Sequence, residues 1–147
     1  MGTAPLLLGL CLTLPGTPEQ PAVFVPGEAF TLAWTHSIER QRWEEDYAVR
    51  PGPRPGSATL HATAARIRGS GAGMEPPPDA RLENGWYHYQ PTEHSPGALR
   101  LSRSEFVPDY ELCDAARNCR RLEHWLPGDG GVTELTACVQ PSTGQRP

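Results

Sequence analysis

Clusters of glycine and proline interrupt this sequence at short intervals and leave little room for helices. The chain has 15 glycines and 17 prolines among 147 residues. Proline breaks a helix interior and glycine weakens it, and no segment shows sustained helical periodicity. Between the turn clusters lie runs with the apolar–polar alternation of a pleated strand. The strand-like runs are residues 6–14, 22–25, 28–38, 43–50, 57–68, 85–90, 98–103, 109–113, 119–125 and 132–138.

Short strands separated at regular intervals by turn-forming residues predict an all-β fold. We expect a single-domain antiparallel β-sandwich or flattened barrel of about 8–10 short strands, because one domain is usual at this length. The domain is predicted to span residues 1–138, with residues 1–5 either frayed or the remnant of an export segment. Residues 139–147 are predicted to form a disordered tail.

The charge pattern argues against nucleic-acid binding. The 13 cationic residues, all arginine, are scattered and are outnumbered by 17 acids, which gives a net charge of −4 and no basic stripe. No apolar run approaches the length that crosses a bilayer. We therefore predict no nucleic-acid partner and no transmembrane span in this chain.

The leucine-rich start permits two interpretations. Residues 5–14 are long enough for the core of a signal peptide, but no Lys or Arg precedes them and no clear cleavage site follows. Leu6, Leu8, Leu10, Leu12 and Leu14 instead recur at the spacing of a strand.

The four cysteines favour the strand. Removing a signal peptide would discard Cys11 and leave an odd count. Keeping Cys11 permits a local Cys113–Cys119 bond and a Cys11–Cys138 bond between the first and last strands. Two disulfides indicate an oxidising compartment, periplasmic or otherwise extracytoplasmic. Since no export signal is evident, we expect the true start to lie upstream.

The segments FTLAWTHSIE and RQRWEEDYAV predict a hairpin. A four-residue loop at 39–42 is a common length and places every apolar residue opposite an apolar partner. A slip by one residue destroys these matches, so this register is favoured. The predicted pairs are Ile38–Trp43, His36–Glu45, Trp34–Tyr47 and Leu32–Val49.

The His36–Glu45 pair has two interpretations. It is either a buried polar pair that satisfies itself or a site in which the carboxylate orients the histidine for proton transfer or ligand binding. Ser37 points to the opposite face of its strand, and three prolines after Ser70 prevent the helix of a nucleophile elbow. Without an identifiable nucleophile, we favour the polar pair.

The stretch RGSGAGMEPPPDA combines conformationally flexible glycines with rigid prolines. Its glycines lack the spacing of a dinucleotide loop, and the chain has no Walker lysine. Long loops in compact domains are usually functional or disordered. We interpret this one as a rigid mount for Met74 and Glu75, flexed at Gly71 and Gly73.

Two further patterns bear on a site. Trp86, Tyr87, His88 and Tyr89 follow an Asn-Gly turn and are either ordinary strand residues or the wall of a pocket. The histidines show no paired ligand spacing. We predict no metal and no cofactor.

Together these segments resemble a bacterial family of uncharacterised domains, domain of unknown function 1850, from about Cys11 to Cys138. The resemblance implies an exported accessory protein of solute uptake, because family members are often encoded beside TRAP transporters of the TAXI subclass, which import organic acids. The residues that carry it are Phe30, Trp34, His36, Ser37, Glu39, Trp43, Glu44, Tyr47, Gly69, Gly71, Gly73, Met74, Glu75, Pro76, Asp79 and the segment Tyr110–Cys113 with Cys119.

These observations predict a non-enzymatic extracytoplasmic binding or accessory module of TRAP-TAXI uptake. Its partner is either a transporter component or a small organic-acid ligand. The alternative is a small hydrolase- or isomerase-type enzyme that uses His36 with Glu45 or Glu75 as acid and base. The predicted ligand-binding residues are His36, Glu45, Trp34, Trp43, Tyr47, Gly71, Gly73, Met74 and Glu75.

Overall fold

Short strands dominate the chain. A computed structural model describes residues 5–35, 41–69 and 77–141, and in these ranges one 3-10 turn, Leu122–His124, accompanies the strands. The strands are β1 (Leu6–Thr13), β2 (Val23–Pro26), β3 (Ala29–Thr35), β4 (Arg42–Pro51), β5 (Ala58–Arg68), β6 (Arg81–Glu83), β7 (Trp86–Tyr89), β8 (Leu99–Ser102), β9 (Glu111–Asp114), β10 (Cys119–Arg121) and β11 (Val132–Pro141).

The strands form two antiparallel sheets of unequal width. The narrow sheet has four strands in the order β2-β1-β11-β8, and the wide sheet has seven in the order β10-β9-β3-β4-β5-β7-β6. Strand β1 packs over β4, and β11 packs over β5. The predicted all-β fold is confirmed as a sandwich, since neither sheet closes into a barrel within the described ranges.

The predicted strand positions hold with three differences. Strand β6 lies outside every predicted run, and the run 119–125 divides into β10 and the 3-10 turn. Strand β11 continues to Pro141, so residues 139–141 belong to a strand and not to the predicted tail. Residues 142–147 lie outside the described part, and the single-domain assignment stays a prediction.

The leucine alternation in β1 builds the centre of the core. Leu10 and Leu12 are at most 2% exposed, and Leu12 lies directly opposite the fully buried Leu135 of β11. They share one core with Phe30 and Leu32 of the wide sheet. Full burial of each such side chain contributes about 1.5–3 kcal/mol. The strand interpretation of the N-terminal leucines is therefore confirmed.

Both predicted disulfides are present. Cys113 and Cys119 lie directly opposite each other on β9 and β10. Cys11 bonds to Cys138 diagonally across β1 and β11, with the Cα atoms 5.9 Å apart. Cys138 itself lies opposite Gly9, where a Cβ atom would approach the carbonyl oxygen of Val25 to 2.3 Å. Glycine at this position lets β2 pack closely against β1.

The predicted register of the β3–β4 hairpin is wrong by four residues. Glu45 lies opposite Leu32 and not opposite His36, and Trp34 lies opposite Trp43. Two contacts fix this register: the two indole rings stack with their centroids 6.0 Å apart, and the Thr31 hydroxyl donates to Asp46 at 2.7 Å. A shift by an even number keeps each residue on its predicted face. The predicted register fails because residues 36–41 connect β3 to β4, a longer connection than a four-residue loop.

The two disulfides are expected to differ in their contribution to stability. Cys11–Cys138 joins residues 127 apart and Cys113–Cys119 joins residues 6 apart. Chain entropy then predicts a loss of about 5 kcal/mol for Cys11→Ala with Cys138→Ala and about 2 kcal/mol for Cys113→Ala with Cys119→Ala. Urea unfolding of both double variants measures the difference. An equal or larger loss for the short-range pair would contradict this account.

Candidate functional site

Strand β4 carries three consecutive acids that face opposite ways. Adjacent strand residues point to opposite faces of a sheet. Glu44 and Asp46 therefore lie on the outer face of the wide sheet, while Glu45 lies on the inner face, in the same row as Leu32 of the core. The same chemical group thus meets two different environments within three residues.

The outer acids are paired with arginines. Arg66 donates its Nε to Glu44 at 2.8 Å and its two Nη atoms to Asp46 at 3.0 and 3.1 Å. Arg42 donates to Glu44 from the other side at 2.8 Å. Burial raises the pKa of both carboxyls, but the arginine hydrogen bonds outweigh it and hold each pKa below its ordinary value. This network is balanced in charge and stabilises the outer face.

The inner acid has a phenol as its partner. Tyr47 donates its hydroxyl to Glu45, and among the described residues no arginine or histidine forms an ion pair with Glu45. Burial and this hydrogen bond raise the pKa of Tyr47, so its hydroxyl remains a donor at neutral pH. Glu45 is half-buried, and within the described residues its carboxylate has this phenol and no cationic side chain as its partner.

Sheet register brings a second tyrosine to this carboxylate. Glu45 lies opposite Ala65 of β5, and Ala65 lies opposite Tyr89 of β7, so all three share the inner face. Burial, followed by the charges of Glu45 and Asp79, raises the pKa of Tyr89 to about 12. Both carboxylates therefore act electrostatically on the same phenol.

These groups open into a cavity of about 450 Å³. The cavity lies at one side of the sandwich, with Leu99 of the narrow sheet as part of its wall. Its size is within the range of small-molecule sites. The lining residues are Glu45, Tyr47, Ala62, Pro77, Pro78, Asp79, Tyr89, Gln90, Pro91, Thr92, Glu93, Pro96 and Leu99.

Backbone contacts hold the loops that close this cavity. The β4–β5 ladder shifts register between Asp46 and Tyr47. Beside the shift, the Ala62 N–H donates to the carbonyl of His94 at 2.8 Å and anchors the loop between β7 and β8. The Gln90 N–H donates to Asp79 at 3.1 Å and joins that loop to the segment before β6. The β-bulge thus positions the cavity wall.

A larger cavity of about 660 Å³ is organised differently. Arg103, buried in its wall, donates to Asp109 at 2.9 and 3.0 Å and to the carbonyl of Leu126 and the hydroxyl of Thr133. Its charge is compensated and four of its hydrogen bonds are made inside the protein. Arg103 therefore fixes the surrounding loops.

The structure divides the predicted site residues into three groups. Glu45 and Tyr47 meet at the smaller cavity. Trp34 and Trp43 stack in a separate aromatic cluster with Tyr110, whose ring lies 6.1 Å from that of Trp34, and neither indole lines the cavity. The remaining predicted residues, His36, Gly71, Gly73, Met74 and Glu75, lie outside the described residues. Their assignment to the site, and the acid–base alternative that needs His36 or Glu75, stay hypotheses.

Sequence reasoning did not assign Tyr89, Asp79 or Glu93 to a site. The alternating aromatics around Tyr89 were one signal, since one interpretation made them a pocket wall. Asp79 gave a weaker signal, as part of the segment that carries the family resemblance. Glu93 gave none, because its contribution depends on where the loop is anchored.

Fold and site together define a disulfide-bonded β-sandwich with an acidic, aromatic cavity beside one edge. The family model described as Domain of unknown function (DUF1850) matches residues 30–122, and the chain belongs to this family. That range contains every described residue that lines the cavity. No curated protein and no solved structure matches the chain. Among the described residues, no helix has the length and apolar character of a membrane span.

The outer ion-pair network predicts a loss of stability in acid. A carboxyl with a pKa lowered by folding stabilises the native state above its unfolded pKa, and this stabilisation disappears as the pH falls through the folded pKa. Wild-type protein should therefore lose stability from about pH 5 downwards. Arg66→Gln should cost about 2 kcal/mol at neutral pH and should flatten the acid dependence.

Urea unfolding across this pH range tests the network. Arg100→Gln is the matched control, because Arg100 pairs with Glu134 on the exposed surface and such pairs contribute about 0–1 kcal/mol. If Arg66→Gln and Arg100→Gln behave alike at every pH, the network does not stabilise the sheet in the way described.

Proposed function

We propose that this chain is a non-enzymatic binding module whose ligand occupies the cavity between Glu45 and Tyr89. The observation that carries the proposal is the half-buried Glu45 carboxylate, which faces the cavity with a phenol and no cation as its partner among the described residues. Burying a charge without a counter-ion is costly. A ligand that places a positive charge beside Glu45 would offset this free-energy cost.

The geometry supports binding over catalysis. Tyr47 holds its proton because burial and Glu45 raise its pKa, so it acts as a fixed donor and not as a base near neutral pH. The cavity walls include four prolines, which restrict backbone motion. Preorganised walls lower the conformational entropy that the protein loses when a ligand binds.

The module works outside the cytoplasm as an accessory of TRAP-TAXI solute uptake. Two disulfides support an oxidising compartment. The transporter association rests on the family resemblance, which implies an exported accessory protein. The ligand is then a small molecule that the module either delivers to the uptake system or detects for it.

Blocking the cavity tests the proposed function. Thr92 is exposed and lines the cavity, while His94 is exposed on the same loop and does not line it. Thr92→Trp should place an indole in the cavity and weaken ligand binding by at least about tenfold, while His94→Trp should leave it unchanged. The measurement is an NMR titration with small amines, alcohols and carboxylates, following the amide signals of Tyr89 and Gln90.

Two results would overturn the proposal. In one, no compound of any charge class shifts the Tyr89 and Gln90 signals of the wild-type protein. In the other, compounds bind but Thr92→Trp and His94→Trp retain the same affinity, which places the binding elsewhere.

A further inference from the structure

The charge of the cavity identifies a class of ligand, an inference that rests on the proposed function. Among the described residues, three that line the cavity carry carboxylates, namely Glu45, Asp79 and Glu93, and none is an arginine, lysine or histidine. A bound anion would meet repulsion from each carboxylate. This lining disfavours the organic acid that the family resemblance implies.

Glu45 differs from every other acid on its strand. Glu44 and Asp46 each receive hydrogen bonds from Arg66, whereas the hydrogen bond to Glu45 in the described residues comes from Tyr47. A phenol donates one proton and supplies no positive charge. Within the described residues, the strand thus pairs its outer acids with arginine and leaves its inner acid without a cationic partner.

The negative charge is distributed along the cavity, because Asp79 and Glu93 line it together with Glu45 and Tyr89. The pKa of Tyr89 is raised to about 12 by burial and then by the charges of Glu45 and Asp79. Asp79 is held by the Gln90 N–H. Arg81 lines a neighbouring cavity that shares Asp79 and Tyr89, and it forms no ion pair with Asp79 among the described contacts.

Apart from Gln90 and Thr92, the other described lining residues are apolar or aromatic. The prolines, Ala62 and Leu99 suit a hydrocarbon surface, and the rings of Tyr47 and Tyr89 can contact a cation through their faces. A metal ion would instead require several oxygen ligands around one point. We propose that the cavity binds a small organic cation, a protonated amine carried on an apolar or aromatic body, with its ammonium group against Glu45.

Three probes of one shape test this inference: phenethylamine, phenethyl alcohol and hydrocinnamate carry an ammonium, a hydroxyl and a carboxylate on the same phenyl body. Phenethylamine should bind the wild-type protein at least about tenfold more tightly than either of the others, because a charge-assisted hydrogen bond adds about 1.4 kcal/mol or more. Its affinity should fall with added salt. NMR titration monitored at Tyr89 and Gln90 gives the three dissociation constants.

Charge-neutralising variants locate the interaction. Glu45→Gln keeps an acceptor for Tyr47 and should weaken phenethylamine binding about tenfold, while phenethyl alcohol binding stays the same. Glu93 is exposed at the cavity, so Glu93→Gln should fold normally and weaken the amine about two- to threefold. Glu19→Gln, exposed and outside the lining, is the matched control and should have no effect.

The outcomes separate this inference from the proposed function. Tighter binding of hydrocinnamate in the cavity, or unchanged amine affinity in both Glu45→Gln and Glu93→Gln, overturns the organic-cation assignment and leaves a binding module. Displacement of phenethylamine by calcium chloride at matched ionic strength would assign the site to a metal ion and also overturns it. Absence of binding by all three probes counts against the proposed function itself.

Discussion

The inward carboxylate of Glu45 is the constraint on which the rest of the site depends. The pleat of β4 fixes its direction, because reversing it would send the buried Tyr47 to solvent and Glu44 into the core. A half-buried carboxylate loses hydration that only a donor or a cation can replace. Tyr47 supplies a donor, and the cavity supplies room for a cation.

The unequal width of the two sheets explains why that room exists. The contacts between the sheets run through β1 over β4 and β11 over β5. Strand β7 lies next to β5 on the side away from β4, and there the inner face meets loops in place of a second sheet. The Ala62–His94 hydrogen bond, beside the register shift in β4–β5, attaches one of these loops to β5. The space left between them is the cavity.

Much of this architecture is predictable because it depends on local rules. Alternating leucines predict β1, and the even count of four cysteines favours a disulfide that includes Cys11. The hairpin register was not predictable from apolar matching, because registers that differ by an even number of residues place the same side chains on the same face. Stacking of Trp34 on Trp43 and the Thr31–Asp46 hydrogen bond select one of these registers. The cavity depends on residues far apart in sequence. No periodicity shows that Asp79 and Tyr89 meet Glu45, since loop anchoring decides it.

The most direct test of the account is a crystal structure of the chain with phenethylamine bound. The account predicts the ligand in the cavity, its nitrogen about 2.8 Å from a carboxylate oxygen of Glu45 and its ring against the prolines and Tyr89. A phenethylamine molecule seated with its ammonium group away from Glu45, or bound only outside the cavity, would contradict the central role of the inward carboxylate.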